Sequence, residues 1–250
     1  MTSETLTYDF RRALPPELYP KVDHLVTEDN TPVDNIFSEK QQRLLVEPLY
    51  SSWTGPGGQR RFIALANVGL FAAIRQPPQV PDMLLSLDVE LPHDLWPKSH
   101  RSYFVWEYGK PPEVVVEVVS NREGGEDTEK LHRYARMAVP YYVIFDPEKH
   151  LSTEILRGFQ LSALHYHRLQ EPLWFPGVEL GLRLWQGRYE DHDNTWLRWV
   201  DTTSQVIPTG AERAEQERQR AEQEHQRAEQ EHQRAERLAQ QLRAMGIEPE

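Results

Sequence analysis

The chain has 250 residues, 38% of them apolar, and a formal net charge of −11 at pH 7. It contains no cysteine, which excludes a disulfide-stabilised fold, a cysteine zinc site and a cysteine nucleophile. The acidic balance argues against a protein that holds nucleic acid by bulk electrostatics, although a local basic patch could still exist. The N-terminal stretch MTSETLTYDFRR lacks the apolar centre of a signal peptide, and no apolar run approaches the roughly 20 residues of a bilayer span. We therefore expect a soluble cytoplasmic protein with no membrane partner.

The segments before the polar tail predict one α+β domain. In chain order they are a hairpin or loop at 20–35, a helix at 36–50, at least one strand within 60–74, a short strand after Pro81, a valine-rich strand at 113–119, a helix at 125–138 and a strand at 141–147. Strand, helix and strand in succession form a βαβ unit, so the last two strands should be parallel neighbours. The helix between them should turn Leu131, Tyr134, Ala135 and Ala138 inward. Residues 151–200 predict hairpins that finish the sheet and cover its edge.

The C-terminal tail has a different composition. From Ala211 the unit AEQEHQR, with its near copy AEQERQR, repeats every seven residues, and its residues are strong helix formers. Alanine and glutamate occupy the a and d positions until Leu238 and Leu242, whereas a stable coiled coil needs apolar residues at both. Two interpretations stay open, a solvated helix held by i,i+4 Glu–Arg pairs and a weak coiled coil with another chain. We predict a domain over 1–205 and a charged heptad helix over 206–250.

Three charged residues stand out against the apolar strands. Glu117 interrupts a valine run that should be buried on both faces, where an isolated carboxylate costs several kcal/mol unless it is paired, protonated or bound to a metal. Asp82 begins another apolar strand, and carboxylates on neighbouring strands would suit Mg²⁺ or Mn²⁺. Lys130 lies on the following helix, with Glu126 and Tyr134 one turn away on the same stripe. Its ammonium could stabilise phosphate charge, or help to position and deprotonate a water.

These residues resemble the active-site motif of the PD-(D/E)XK nuclease superfamily. The order is Pro81-Asp82, then Glu117-Val118-Val119, then Lys130. The usual motif places its lysine two residues after the acidic strand residue, where this chain has Val119. The segment 117–147 is more narrowly similar to the Uma-type family of restriction endonucleases. The residues that match its pattern are Glu117, Ser120, Lys130, Tyr134, Val139, Tyr142, Asp146 and Pro147.

The resemblance extends over roughly residues 20–205 and implies both a fold and an activity. The implied fold is a restriction-endonuclease-like mixed β-sheet core flanked by helices, and the implied activity is Mg²⁺- or Mn²⁺-dependent hydrolysis of DNA. Asp82 and Glu117 would bind the metal, with the backbone carbonyl of Val118 as a further ligand. Lys130, moved from strand to helix, would orient or activate the attacking water, with Tyr134 packed beside it. Analogy with the superfamily also implies a homodimer, so that both strands are cut.

Each assignment has a structural alternative. Glu117 could pair with an internal arginine, Asp82 could begin a strand or cap a turn, Lys130 could pair only with Glu126, and Tyr134 could be plain core packing. Glu39, on the first helix, could replace an acidic residue that some superfamily members use, or be an ordinary exposed residue. For the chain as a whole, the alternative is a catalytically inactive nuclease-fold protein that docks a protein partner through its C-terminal helix.

Overall fold

The computed structural model describes residues 20–27, 35–122 and 124–244, except for the side chains of 242 and 243. The chain divides into two compact units, one ending at Ile207 and the other beginning at Pro208. The first unit contains a six-stranded mixed sheet with helices, and the second is a single long helix. The predicted α+β class with a long C-terminal helix is therefore confirmed.

The first helix, α1, spans Ile36–Ser52 and begins after Asn35, whose side chain accepts a hydrogen bond from the Ser38 N–H at 2.8 Å. The elements that follow are β1 (Phe62–Ala66), β2 (Leu70–Phe71), β3 (Met83–Leu87), β4 (Tyr103–Phe104), α2 (Val105–Tyr108), β5 (Val114–Val118), α3 (Leu131–Arg136), β6 (Tyr141–Phe145), β7 (Leu156–Ser162), β8 (His165–Arg168), β9 (Leu173–Phe175), β10 (Leu180–Tyr189), β11 (His192–Val200) and α4 (Gly210–Ala244). A π-helical turn, Glu126–Lys130, leads directly into α3. The predicted helix at 36–50 and the strands at 113–119 and 141–147 are thus confirmed.

The central sheet has the strand order β1-β3-β5-β6-β7-β8. β5 and β6 run parallel, and the other neighbouring pairs are antiparallel. The π-helical turn and α3 connect β5 to β6, so the predicted βαβ unit lies at the middle of the sheet. Every residue of β3, β5 and β6 is buried, because both faces of the sheet are covered.

The two faces of the sheet pack against different layers. On one face, Val114 and Val116 belong to a cluster with residues of α1 and of β9–β11. On the other face, Val115 belongs to a cluster with Tyr134 of α3. Because successive strand residues point to opposite faces, Glu117 lies on the α3 face with Val115.

Strands β9–β11 do not finish the central sheet, which corrects the prediction for residues 151–200. Only β7 and β8 extend it, whereas β9, β10 and β11 form a separate antiparallel sheet. Hydrogen bonds anchor that sheet to α1. The Gln41 side chain bonds both the N–H and the carbonyl of Leu197 at 2.9 Å, and the Trp199 indole donates to the Leu45 carbonyl at 2.7 Å. The second sheet therefore covers a face rather than an edge.

Two smaller expectations also change. Ala138 was expected to point inward, but α3 ends at Arg136 and Ala138 is exposed with a φ of +59°. Met137 is buried instead, and the left-handed residue turns the chain toward β6. Residues 20–27 form a loop with a turn, and the remainder of the predicted hairpin or loop, residues 28–34, lies outside the described residues.

The second unit is the helix α4. It begins with a capping box, in which the Glu212 N–H donates to Thr209 Oγ1 at 3.1 Å and the Thr209 N–H donates to the Glu212 carboxylate at 2.7 Å. Its side chains are almost all exposed, and Arg213 pairs with Glu217 at 3.5 Å, one turn later. These contacts are those of a solvated helix. Within the part of the chain that the structure describes, no helix is long and apolar enough to cross a membrane.

Candidate active site

The register of β3 and β5 brings two carboxyl groups together. Met83 pairs with Val116, so the next step along both strands places Asp82 opposite Glu117. Opposite residues of an antiparallel pair point to the same face, with Cβ atoms about 5 Å apart. The Val118 N–H donates to Asp82 Oδ2 at 2.7 Å, which fixes Asp82 against β5. The two carboxylates predicted from separate strands therefore share one face at one end of the strand pair.

Asp82 is held by two hydrogen-bond donors. Besides Val118, the side chain of Gln42 on α1 donates to Asp82 Oδ1 at 2.6 Å. Burial raises the pKa of Asp82, although the hydrogen bonds from Val118 and Gln42 and the charge of Lys130 oppose that rise. Sequence reasoning missed Gln42. The available signal was a polar side chain three residues before Leu45, on the apolar stripe of a helix.

Glu117 is 1% exposed and has a partner on each oxygen. The Tyr134 hydroxyl donates to Oε1 at 2.6 Å, and the Lys130 ammonium donates to Oε2 at 3.1 Å. Burial raises the pKa of Glu117 to about 8, opposed by the Lys130 charge and reinforced by Asp82. Its cationic partner is thus a lysine from the π-helical turn, not the internal arginine of the structural alternative.

Lys130 lies between two carboxylates. It contacts Glu126 Oε1 at 3.0 Å as well as Glu117, so the i,i+4 pair considered in the sequence forms only part of its environment. Burial disfavours the Lys130 charge, but the two carboxylates outweigh that effect and raise its pKa above the usual value. Glu126 Oε2 is buried and has no hydrogen-bond partner in the described residues. A Cβ at Gly124 would overlap the Glu126 carboxylate, so this close approach needs glycine.

Two residues that match the family pattern hold the backbone around the site. The Tyr142 hydroxyl donates to the Glu126 carbonyl at 2.8 Å, which ties the π-helical turn to β6. Asp146, directly after β6, accepts the N–H groups of His150 and Leu151 at 2.8 Å each. Tyr142 stabilises the π-helical turn that carries Lys130, Asp146 stabilises the turn after β6, and Tyr134 is both buried packing and a hydrogen-bond donor to the site.

The charged residues open onto a cavity of about 830 Å³. Its lining includes Asp82, Glu117, Glu126 and Lys130, together with the side chain of Gln42. The cavity is also lined by residues of the 24–27 loop and of the segment between β2 and β3. A ligand in this cavity would therefore have access to two buried carboxylates and a lysine.

Glu39 is not brought to this site, which corrects its expected supporting role. Its carboxylate pairs with Arg43 at 2.7 Å on the solvent side of α1, where Glu190 meets the same arginine at 2.7 Å. Glu39 does not line the cavity, and Gln42 is the α1 residue that does. Val118 takes part through its N–H group, and a role for its carbonyl as a metal ligand stays a prediction.

Most of the first unit matches a known protein family. The family model described as Uma2, putative restriction endonuclease, matches residues 26–186. The chain belongs to the Uma2 family. This membership confirms the resemblance inferred from the sequence, and the mixed sheet of this Uma2 protein has the restriction-endonuclease-like architecture. The matched range contains Asp82, Glu117, Glu126 and Lys130, and the family description supports a nuclease in general. Comparisons with curated proteins and with solved structures gave no match.

Asp82 and Glu117 are the candidate metal-binding side chains of this Uma2 site. In the described ranges, no group of three or more His, Cys, Asp or Glu side chains is arranged to hold a metal ion. The two carboxylates Asp82 and Glu117 nevertheless supply oxygen ligands, which Mg²⁺ and Mn²⁺ prefer. Mg²⁺ is commonly held by one or two carboxylates, with waters and substrate phosphates as its other ligands. The pair fits a cation of that kind.

Proposed function

We propose that this Uma2 protein is an endonuclease that uses Mg²⁺ or Mn²⁺ to hydrolyse phosphodiester bonds in DNA. The observation that carries the proposal is the meeting of Asp82, Glu117 and Lys130 on the wall of one cavity. Two strands and a helical turn supply these groups, and buried carboxylates beside a lysine on a cavity wall are typical of functional sites.

Asp82 and Glu117 would hold the cation, and the Val118 carbonyl is retained as a proposed further ligand. The bound metal would supply a water of lowered pKa and would stabilise negative charge on the phosphate. Each carboxylate oxygen already accepts one protein hydrogen bond, from Gln42, Val118, Tyr134 or Lys130. An ionised carboxylate oxygen has a second lone pair, so these bonds orient the ligands without occupying them fully.

Lys130 would act as a hydrogen-bond donor. Because Glu117 and Glu126 raise its pKa, its amine is protonated at neutral pH and cannot take a proton from water. A protonated amine can still orient the attacking water and stabilise the charge that develops on the phosphate oxygens. We therefore favour orientation and charge stabilisation by Lys130 over its use as a general base.

The test is cleavage of a plasmid by purified protein with Mg²⁺ or Mn²⁺, beside a Glu117→Ala variant prepared identically. Glu129→Ala is a matched control, since Glu129 is exposed, pairs with Arg133 and does not line the cavity. We expect metal-dependent cutting by the parent and the control and none by Glu117→Ala. Equal cutting by all three would identify a contaminating nuclease.

A second function is favoured by the exposed 35-residue helix α4, which could dock a protein partner on an inactive nuclease fold. Calorimetry with Mn²⁺ separates the two. The nuclease proposal requires heat of metal binding that Glu117→Ala lacks, whereas the docking alternative requires no such heat and no cutting. We also propose a homodimer, by analogy with nucleases that cut both strands, and sedimentation would measure it.

A further inference from the structure

Arg75 is a basic residue of the cavity wall without a salt-bridge partner among the residues that the structure describes. Its side chain is exposed and lines the same cavity as Asp82 and Glu117. It makes no hydrogen bond or ion pair with any residue that the structure describes. Lys130, by contrast, is already shared by two carboxylates. Of the two described cavity cations Arg75 and Lys130, Arg75 is therefore the one whose charge is available to a ligand.

The loop that carries Arg75 has a defined backbone. Leu70 and Gln79 close it with two hydrogen bonds, at 2.7 Å and 3.0 Å. Inside the loop the Gln76 N–H donates to the Ala73 carbonyl at 3.1 Å, which forms a turn with Arg75 as its third residue. Pro77 and Pro78 follow, and their rings restrict φ. A loop restrained in this way loses little conformational entropy when a ligand binds.

The charges of the cavity favour an anion at this position. Among the described residues, the ionisable ones that line it are the acids Asp82, Glu117 and Glu126 and the bases His24, Arg75 and Lys130. The acids and Lys130 interact with one another, which leaves Arg75 as a separate positive group. A guanidinium is planar and always charged, and it binds phosphate through two parallel hydrogen bonds. The chain is otherwise strongly acidic, so a localised cation is needed to hold a polyanion.

We infer that Arg75 binds a backbone phosphate of the nucleic acid strand, flanking the phosphate that is cleaved. The inference rests on the proposed nuclease function and assigns Arg75 a binding role that is independent of the metal and of the chemical step. Because a phosphate contact carries no sequence information, Arg75 should contribute equally to all DNA sequences.

The experiment measures binding of labelled duplex oligonucleotides of two unrelated sequences, without metal, over a range of salt concentrations. The proteins are the parent, Arg75→Ala, Arg75→Lys and Arg183→Ala. Arg183 is the matched control, because it is exposed on β10 and does not line the cavity. Thermal unfolding of each variant verifies that the fold is retained.

We expect Arg75→Ala to weaken binding about tenfold for both sequences and to reduce the salt dependence by about one counterion. Arg75→Lys should keep the salt dependence with weaker binding, and Arg183→Ala should match the parent. Unchanged binding by Arg75→Ala would overturn the inference, as would an effect on one sequence only, which would indicate base recognition. If the parent cuts DNA and Arg75→Ala binds DNA normally, the inference about Arg75 is refuted and the nuclease proposal stands. A parent that neither binds nor cuts refutes the nuclease proposal with it.

Discussion

The Lys130 ammonium lies 3.1 Å from Glu117 although the two residues are 13 positions apart in the chain. The superfamily motif that this chain resembles has its lysine two residues beyond the acidic residue, on the same strand, where Val119 stands here. The π-helical turn Glu126–Lys130 supplies the lysine from outside the strand. The strand carboxylate Glu117 thus pairs with a lysine, as in the superfamily motif, but that lysine comes from a helical turn instead of the strand.

Glu117→Gln should remove stabilisation by metal. The amide keeps the size of the side chain and one of its two acceptor oxygens, but it loses the charge that a cation requires. With Mn²⁺ at a hundredfold excess over its Kd, we expect the parent to gain about 2.7 kcal/mol of unfolding free energy and the variant to gain almost none. Thermal unfolding with and without Mn²⁺ measures this. Equal stabilisation of both proteins would place the metal elsewhere.

Metal affinity should depend steeply on pH. The pKa of Glu117 is raised to about 8, so the metal must displace a proton from this carboxyl below that pH. We expect affinity to rise about tenfold per pH unit up to about pH 8 and then to level off. Calorimetry with Mn²⁺ in buffers between pH 6 and pH 9 would be the measurement, at roughly one-unit intervals. A flat profile in this range would show that Glu117 is not the ligand that titrates.

Tyr134→Phe should shift that profile. The Tyr134 hydroxyl donates to Glu117 and lowers its pKa, so its loss should move the midpoint of metal binding to higher pH. Leaving a buried carboxylate oxygen without its donor should also lower the unfolding free energy by about 1–3 kcal/mol. Tyr142→Phe is the control, because that hydroxyl bonds the Glu126 carbonyl instead. It should lose stability without moving the midpoint, and equal shifts in both variants would contradict the assignment.

Substitutions of Lys130 and Glu126 should reduce the rate of cleavage more than they reduce metal binding. Lys130→Met removes the proposed donor to water and phosphate, and we expect cleavage to fall about 100-fold or more while Mn²⁺ still stabilises the protein. Glu126→Gln removes one of the two negative charges that hold Lys130 but keeps a hydrogen-bond acceptor. Its cleavage rate should therefore fall less than that of Lys130→Met. Single-turnover cleavage and thermal unfolding would be measured on the same samples. Full activity in Lys130→Met would rule out its proposed role.

The local sequence pattern predicted much of the fold and three of the residues that line the cavity. The valine run marked β5, the proline and turn residues bounded it, and a charge inside an apolar strand singled out Glu117. Asp82 was singled out at the start of another apolar strand and Lys130 on the helix that follows β5, and the structure brings all three to one cavity. Glu39 was a supporting candidate with an exposed alternative, and the structure shows the i,i+4 pair with Arg43 that its helical spacing allows.

The sequence by itself determined which segments form strands and helices and which charges were out of place, because periodicity and burial cost act over a few neighbouring residues. Only the tertiary structure decided which of those charges meet. The pairing of Asp82 with Glu117 depends on strand register, and the contacts of Gln42, Glu126 and Lys130 depend on which faces of α1 and the π-helical turn oppose the sheet. The packing of β9–β11 on a face was decided in the same way, by contacts with α1 across more than 150 residues of chain. Such contacts join distant segments, and a local pattern does not specify them.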